Sequence, residues 1–164
     1  MTNQPEDRVP ATMNPAQRRI FAAIAILAFA GIAVSLVSLY HHYGNSQSSF
    51  CDFGGSFNCD MVNRSIYSSV LGVPVALIGV AGYGVLLALA TVYRSKAETP
   101  GMLLIGSLIG LGFALYLTYI EAFVLAVWCI LCMSSLALIL LIFTFSSWAF
   151  FRSRKSGRMA RNAA

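Results

Sequence analysis

Four long apolar runs constrain this sequence more than any other feature. Each run has 21 to 27 residues, and a single carboxylate, Glu121, is the only charge within them. A helix needs roughly 20 residues to cross the hydrocarbon core of a bilayer, which is about 30 Å thick, so each run is long enough. Because no run alternates with the period of a β-strand, we predict four transmembrane helices. The predicted spans are 20–40, 70–93, 101–123 and 125–151.

The composition supports a membrane protein. Hydrophobic residues make up 58% of the chain and charged residues 10%, and the mean hydropathy is +0.74. Soluble domains average about 25% charged residues. A soluble globule of this size could not bury so much apolar surface, which excludes a water-soluble enzyme, a disordered chain and a disulfide-dense secreted mini-protein. The predicted fold class is all-α integral membrane, an antiparallel four-helix bundle.

The boundary between the third and fourth spans carries no obvious turn residue. No Gly or Pro lies between Gly112 and Gly157. The 39 residues of 113–151 would form a helix of roughly 58 Å, about twice the bilayer, so the chain must reverse once. We expect the reversal shortly after Glu121, around 124–127. Glu121 itself fits a turn residue and a functional carboxylate equally well.

The basic residues indicate the orientation of the spans. Ten of the 11 lie in the segments that are cytoplasmic if the N-terminus is inside, and only Arg64 lies outside. We therefore expect an inner (plasma) membrane protein with both termini cytoplasmic, a disordered tail over 1–19 and a basic tail over 152–164. The outside loop is 41–69, with a short interfacial helix over 60–69. The net charge of +5 then reflects lipid headgroup contacts, not nucleic acid binding.

The four cysteines all fall on the predicted outside. Cys51 and Cys59 lie in the long loop, and Cys129 and Cys132 follow the outside turn. Disulfides form and persist on this side of the membrane. Cysteines at i and i+3 share one helix face, which is the spacing of redox-active dithiols. A helix that begins near Ala126 would hold Cys129 in its first turn, where the macrodipole favours the thiolate, and Cys132 one turn deeper, within reach of a lipid-soluble oxidant.

Three interpretations of the cysteines compete. Two structural disulfides are the simplest, but a bridge between Cys129 and Cys132 closes almost no loop and adds little stability. A soft-metal site of four thiolates lacks a second closely spaced pair, because Cys51 and Cys59 are eight residues apart. Thiol–disulfide exchange uses every feature, since the glycine-containing loop pair can move between an external protein and the membrane pair. We favour exchange.

Several motifs resemble one known family. Cys-Asp-Phe-Gly-Gly-Ser-Phe-Asn-Cys (51–59), with Ser65 and Leu-Gly-Val-Pro (71–74), resembles the loop and second helix of the vitamin K epoxide reductase family. Tyr-Leu-Thr-Tyr-Ile (116–120) and Trp-Cys-Ile-Leu-Cys (128–132) are similar to its third-to-fourth helix segment. Members of the family are four-helix membrane oxidoreductases that pass electrons from thiols to a quinone.

The resemblance implies a role for each cysteine. Cys51 would exchange with the dithiol of a partner protein, and Cys59 would pass the electrons to Cys129. Cys132 would then reduce the quinone, which is menaquinone, ubiquinone or a related molecule. No metal is expected.

The resemblance also suggests residues of a quinone pocket. Ser65 occupies the position of a hydroxyl residue important for quinone reduction, and Ser68 falls near a polar residue that contacts the quinone ring in animal members. We expect Tyr119 to line the same pocket. Animal members carry Thr-Tyr-Ala shortly after the CxxC, where this chain has Ser-Leu-Ala (135–137), a departure that counts against both epoxide reduction and tight binding of coumarin drugs.

Many bacterial members carry a fused thioredoxin-like domain, whereas only a basic tail follows the fourth run here. The implied partner is therefore a separate DsbA-like thioredoxin-fold protein, and the membrane protein is expected to be a monomer. Two alternatives stay open. The protein could reduce vitamin K epoxide, or it could be a soft-metal transporter that uses Cys129 and Cys132.

Overall fold

The structure is a computed structural model in which most of the backbone is helical. Cys51, for which the sequence predicts a role in exchange, lies outside the residues that the structure describes. The described residues are 15–44, 58–70, 72–94, 96 and 98–162.

Four of the five α-helices have 17 residues or more. A π-helical turn, Glu121–Leu125, continues the fourth helix, and a 3₁₀ turn, Ile66–Ser68, follows the short second one. In chain order the elements are α1 (Pro15–Tyr43), α2 (Cys59–Asn63), β1 (Ser69–Val70), β2 (Val73–Pro74), α3 (Val75–Thr91), α4 (Thr99–Ile120) and α5 (Ile130–Asn162).

Three described segments are long and apolar enough to cross a membrane, namely Pro15–Tyr43, Thr99–Leu125 and Ile130–Lys155. α3 is apolar too, but its 17 residues rise only about 25 Å. Many large apolar side chains are exposed on the outer faces of the helices, as lipid contact requires; Ile26 and Phe29, for example, are 70% and 67% exposed. The chain is therefore a membrane protein, and the count of four spans stays a prediction.

The long helices share one apolar core. α1 packs against α3 and α5, and α4 packs against α5 and α3. Close approach of α1 and α3 depends on Gly31, because a Cβ there would lie 2.5 Å from the Tyr83 ring. The fully or nearly fully buried core residues are Ile20, Phe21, Ile24, Ala28, Tyr83, Leu86, Ala90, Leu103, Ile139, Ile142 and Ala149.

The second predicted span is wrong at its start. Instead of a helix from Val70, the chain forms a tight antiparallel pair in which β1 and β2 are hydrogen-bonded, and α3 begins only at Val75. Gly72 has a φ of 81°, which favours glycine, and Pro74 disfavours helical geometry at Val73. These residues therefore prevent an earlier helix start.

The helices also extend into both predicted tails. α1 already includes Pro15, the first residue that the structure describes, and α5 continues to Asn162. The predicted helix over 60–69 is divided into α2 and the 3₁₀ turn. Around this break, Ser65 Oγ donates to the Val62 carbonyl at 2.8 Å, an alternative to regular helix that serine side chains commonly provide.

Candidate functional site: a cysteine pair beside an apolar cavity

The reversal that precedes the CxxC is built without glycine. After the π-helical turn Glu121–Leu125, Ala126 adopts the left-handed conformation with φ 50° and ψ 30°. Its N–H and that of Val127 both donate to the Glu121 carbonyl, the latter at 3.3 Å. The left-handed conformation costs an L-residue roughly 1–2 kcal/mol, which these hydrogen bonds offset. The chain is thereby turned back within a few residues.

Cys129 lies at the N-cap of α5, not within its first turn as expected from a helix start near Ala126. α5 begins at Ile130, and the Cys129 carbonyl accepts the N–H of Met133 at 3.0 Å. At this position Cys129 still lies at the positive end of the helix dipole. Its side chain is 0% exposed.

Cys129 and Cys132 are both free thiols and lie on one side of the first turn of α5. Their sulfur atoms are within 4.8 Å of each other, and Cys132 is half-buried. A hydrogen bond from the Cys132 thiol lowers the pKa of the Cys129 thiol below its ordinary value. Cys129 is therefore the thiol of the pair that is favoured as the thiolate, which is the nucleophilic form.

Cys59 is brought next to this pair. It begins α2, is 1% exposed and takes part in a disulfide. Cys59 packs with Val62 and Cys129 in one buried cluster, which Cys132 flanks. The backbone also joins the two segments, because the N–H of Asn58 donates to the carbonyl of Trp128 at 3.2 Å. Three of the four predicted redox cysteines therefore lie together.

Glu121 is a buried member of the site. The side chain is 1% exposed, and its Oε2 accepts the backbone N–H of Cys129 at 3.1 Å. One of its carboxylate oxygens lies within 4.8 Å of both cysteine sulfurs. The sequence contained a signal for this residue, since Glu121 is the only charge between Phe113 and Phe151. Its contact with the cysteines was not predicted, because Glu121 was expected near a turn at the outer surface of the membrane.

A cavity of about 380 Å³ lies beside Cys132 and Glu121. Residues of α1, the α2 segment, α3, α4 and α5 line it, and its lining is mainly apolar. The volume falls in the range of small-molecule sites, which combine apolar walls with a few polar groups. An apolar ligand in this cavity would lie against the thiol of Cys132.

The structure places the three predicted pocket residues differently. Ser65 and Ser68 line the cavity. Ser68 Oγ donates to the Ser65 carbonyl at 2.7 Å, so both hydroxyls are tied to backbone around the 3₁₀ turn. Tyr119 lies outside the cavity: it is 57% exposed, and its ring centroid is 4.9 Å from that of Phe123.

A tyrosine that the sequence analysis did not select lines the cavity instead. Tyr83 is 6% exposed, and its hydroxyl lies 2.9 Å from both the carbonyl and the Oγ of Ser135. Ser135 is one turn beyond Cys132 on α5, so this contact fixes α3 against the helix that carries the thiols. The only sequence signal for Tyr83 was its position in a glycine-rich helix.

Two thiols and one carboxylate are also the donor types that bind metal ions. Among the described residues, no fourth His, Cys, Asp or Glu joins Glu121, Cys129 and Cys132. A closed structural zinc site needs four such ligands. The cluster therefore fits a reactive dithiol with a neighbouring carboxylate better than a structural metal centre.

The fold and site define a class of protein, a helical membrane protein with a buried dithiol beside an apolar cavity. Residues 22–147 match the model of the vitamin K epoxide reductase family, and the match covers most of the chain. The chain belongs to this family and is a membrane oxidoreductase of the vitamin K epoxide reductase type. No curated protein sequence matches the chain.

Proposed function

We propose that the protein is a membrane thiol:quinone oxidoreductase that reoxidises a DsbA-like thioredoxin-fold partner outside the cytoplasm and so supports disulfide formation. The observation that carries the proposal is the packing of the disulfide-bonded Cys59 against Cys129, with Cys132 facing an apolar cavity. On one side of this arrangement the disulfide of Cys59 can accept electrons from a thiol, and on the other side the cavity has room for a lipid-soluble oxidant.

The proposed electron path has two exchanges. A thiolate of the partner attacks Cys51 in a Cys51–Cys59 disulfide, and the partner leaves oxidised while both loop cysteines become thiols. The Cys59 thiolate then attacks Cys129 in a Cys129–Cys132 disulfide, and Cys51 resolves the mixed disulfide. Each exchange oxidises one dithiol and reduces one disulfide, and relative reduction potentials set the direction. The contact between Cys59 and Cys129 supports the second exchange.

The cavity residues fit a quinone head group. Most of its lining surface is apolar, and Ser65, Ser68 and Cys132 are among its polar lining residues. A bound quinone, menaquinone or ubiquinone for example, supplies an acceptor for two electrons and two protons. Cys129 and Cys132 give up these electrons and protons and form a disulfide, which returns the pair to the state that accepts electrons from Cys59.

We propose that the cysteines face the exterior of an inner (plasma) membrane and that both termini are cytoplasmic. The distribution of basic residues supports this orientation, and so does the disulfide at Cys59, since disulfides persist outside the cytoplasm. α3 is the proposed fourth span. Its Ala90 belongs to the same core as Ile20 near the start of α1, and Pro74 before it lines the cavity near the cysteines, so α3 runs alongside the longer helices.

The test is quinone reduction by purified protein in lipid nanodiscs, with a reduced thioredoxin-fold donor or a small dithiol. Cys132→Ala should abolish turnover with either donor. Cys51→Ala should lose turnover with the protein donor and keep part of it with the small dithiol, which can reach the inner pair directly. Ser134→Ala is a control on the same helix, because Ser134 does not line the cavity and its Oγ donates to the Ile130 carbonyl of its own helix.

Other outcomes would change the assignment. A wild-type protein that reduces no quinone but holds stoichiometric metal on free cysteines would overturn the proposal in favour of soft-metal binding. Reduction of vitamin K epoxide, run in the same assay, would assign the epoxide reductase activity instead.

A further inference from the structure

We propose that Glu121 is a catalytic proton carrier: it accepts the proton of the Cys132 thiol as the dithiol is oxidised and delivers it to an oxygen of the acceptor in the cavity. This inference rests on the proposed function. It concerns a residue to which neither the sequence motifs nor the exchange chemistry of the cysteines assigns a role.

Burial is the first observation in its favour. Glu121 is 1% exposed, and no described Lys, Arg or His forms an ion pair with it. A buried carboxylate without a cation is costly, and proteins usually replace such a group unless it has a function. Here the carboxylate lies at the reactive thiols.

The two oxygens of Glu121 differ in their surroundings. Oε2 accepts the N–H of Cys129, whereas Oε1 is buried without a hydrogen-bond partner among the described residues. An unpaired buried acceptor is rare in native proteins, since it loses its hydrogen bonds to water. A free acceptor beside Cys132 is what a proton acceptor for that thiol requires.

The positions of the reacting groups permit the transfer. The sulfur atoms of Cys129 and Cys132 lie within 4.8 Å of a Glu121 carboxylate oxygen, a separation that a small side-chain movement or one water can bridge. Glu121 and Cys132 both line the cavity, so the same carboxylate also reaches the space that the acceptor would occupy. The remaining described titratable groups that line the cavity are His42 on α1, Tyr67 on the 3₁₀ turn and Tyr83 on α3.

The step balances in electrons and protons. Cys129 reacts as the thiolate, its proton having passed to solvent, and Cys132 gives its thiol proton to Glu121; together they lose two electrons and gain an S–S bond. The quinone gains two electrons and two protons and becomes the quinol. One proton passes through Glu121, which begins and ends the cycle as a carboxylate. The second proton of the quinol is taken up from solvent. The partner dithiol replaces the electrons and protons lost from Cys129 and Cys132.

A purely structural role makes a different prediction. Oε2 holds Cys129 at the N-cap of α5, and the amide oxygen of glutamine could accept the same hydrogen bond. Glu121→Gln therefore keeps the hydrogen bond to the Cys129 N–H and removes only the capacity to bind a proton. If Glu121 is structural, this variant should behave as wild type.

The experiment uses the full-length protein in nanodiscs and measures its two half-reactions separately. We expect Glu121→Gln to slow quinone reduction about 100-fold, the usual scale of general acid–base catalysis. Reduction of the Cys129–Cys132 disulfide by a small dithiol, without quinone, should keep its wild-type rate. Glu121→Asp should recover part of the lost turnover, and Glu98→Gln, at the start of α4 outside the cavity, should match wild type.

The pH profile gives a readout that does not depend on how well a variant folds. Wild-type quinone reduction should fall as the pH falls through the carboxylate's pKa, because protonated Glu121 cannot accept the thiol proton. This acidic limb should be missing from the residual turnover of Glu121→Gln and should persist in His42→Gln.

Two results would overturn the inference while leaving the proposed function intact: full quinone turnover in Glu121→Gln, or a wild-type profile without an acidic limb. A wild-type protein that reduces no quinone would overturn the proposed function and this inference together.

Discussion

The backbone N–H of Asn58 donates a hydrogen bond to the carbonyl of Trp128 at 3.2 Å. Each of these residues directly precedes a cysteine, Cys59 in one case and Cys129 in the other. The bond therefore fixes the relative position of two cysteines that are 70 residues apart in the chain, which each lie in the same buried cluster. This placement is the one that exchange between the two cysteines requires.

This proximity predicts that a mixed disulfide can be trapped. In Cys132→Ser the Cys129 thiolate has no thiol to pair with and should attack the Cys59 disulfide, releasing the other sulfur of that bond as a thiol. One disulfide replaces another, so no external oxidant is required. The released thiol can attack the mixed disulfide and reverse the exchange, so the two disulfides should coexist. Peptide mapping after an acid quench, under non-reducing conditions, should find Cys59 joined to Cys129 in part of the protein.

The matched control for the trap is Cys129→Ser, in which Cys132 is the free thiol. Cys132 only flanks the cluster that Cys59 and Cys129 form. We expect little Cys59–Cys132 bond in this variant. Equal trapping by both variants would show that Cys59 does not distinguish the two thiols, contrary to the proposed order.

The hydrogen bond between the two thiols predicts a pH effect. Because Cys132 lowers the pKa of Cys129, the Cys129 thiolate should persist at a lower pH than that of an ordinary cysteine. Cys132→Ala removes the donor and should raise the midpoint, whereas Cys132→Ser keeps a hydroxyl donor and should retain much of the shift. The measurement is thiolate ultraviolet absorbance against pH in the reduced protein, after subtraction of the Cys129→Ala signal. An unchanged midpoint in Cys132→Ala would assign the effect to the start of α5 instead.

The features that depend on long apolar patterns could be predicted from the sequence. The runs predicted the long helices, and the 39-residue stretch without Gly or Pro forced a reversal, which the structure places between Leu125 and Ile130. The i, i+3 spacing of Cys129 and Cys132 likewise predicted a common helix face. These inferences use only length, hydropathy and spacing along a single helix.

Features that depend on packing between segments could not be predicted. The contact of Glu121 with Cys129 spans eight residues and requires a π-helical turn followed by a left-handed alanine, a combination without a sequence signature. Tyr119 and Tyr83 illustrate the same limit. Both lie in apolar helices, and only the relative rotation of those helices decides that Tyr83 faces the cavity while Tyr119 faces outward.

The contact between Gly31 and Tyr83 predicts a loss of stability on substitution. A Cβ at Gly31 would lie 2.5 Å from the Tyr83 ring, and the ring cannot move away freely because its hydroxyl is bonded to Ser135. We expect Gly31→Ala to destabilise the fold by about 1–3 kcal/mol. Gly112→Ala is the control, since no atom of the part of the chain that the structure describes lies within 4 Å of its Cβ position, and alanine should stabilise that helix slightly. Thermal unfolding in one detergent compares the two, and equal midpoints would contradict the packing described for α1 and α3.

The cavity predicts different effects for two neighbouring glycines of α3. Among the described residues, no atom lies within 4 Å of a Cβ built at Gly82 or Gly84, so neither substitution by leucine creates a clash with them at that atom. Gly82 lines the cavity and Gly84 does not. Leucine at 82 should therefore occupy space that the quinone needs and raise its KM about tenfold, the equivalent of ~1.4 kcal/mol of binding, while leucine at 84 should leave the KM unchanged. The rate of exchange from reduced Cys59 to the Cys129–Cys132 disulfide should be the same in Gly82→Leu, Gly84→Leu and wild type, because neither Cys59 nor Cys129 lines the cavity. If both variants bind quinone as wild type does, the acceptor is reduced at another surface of the protein.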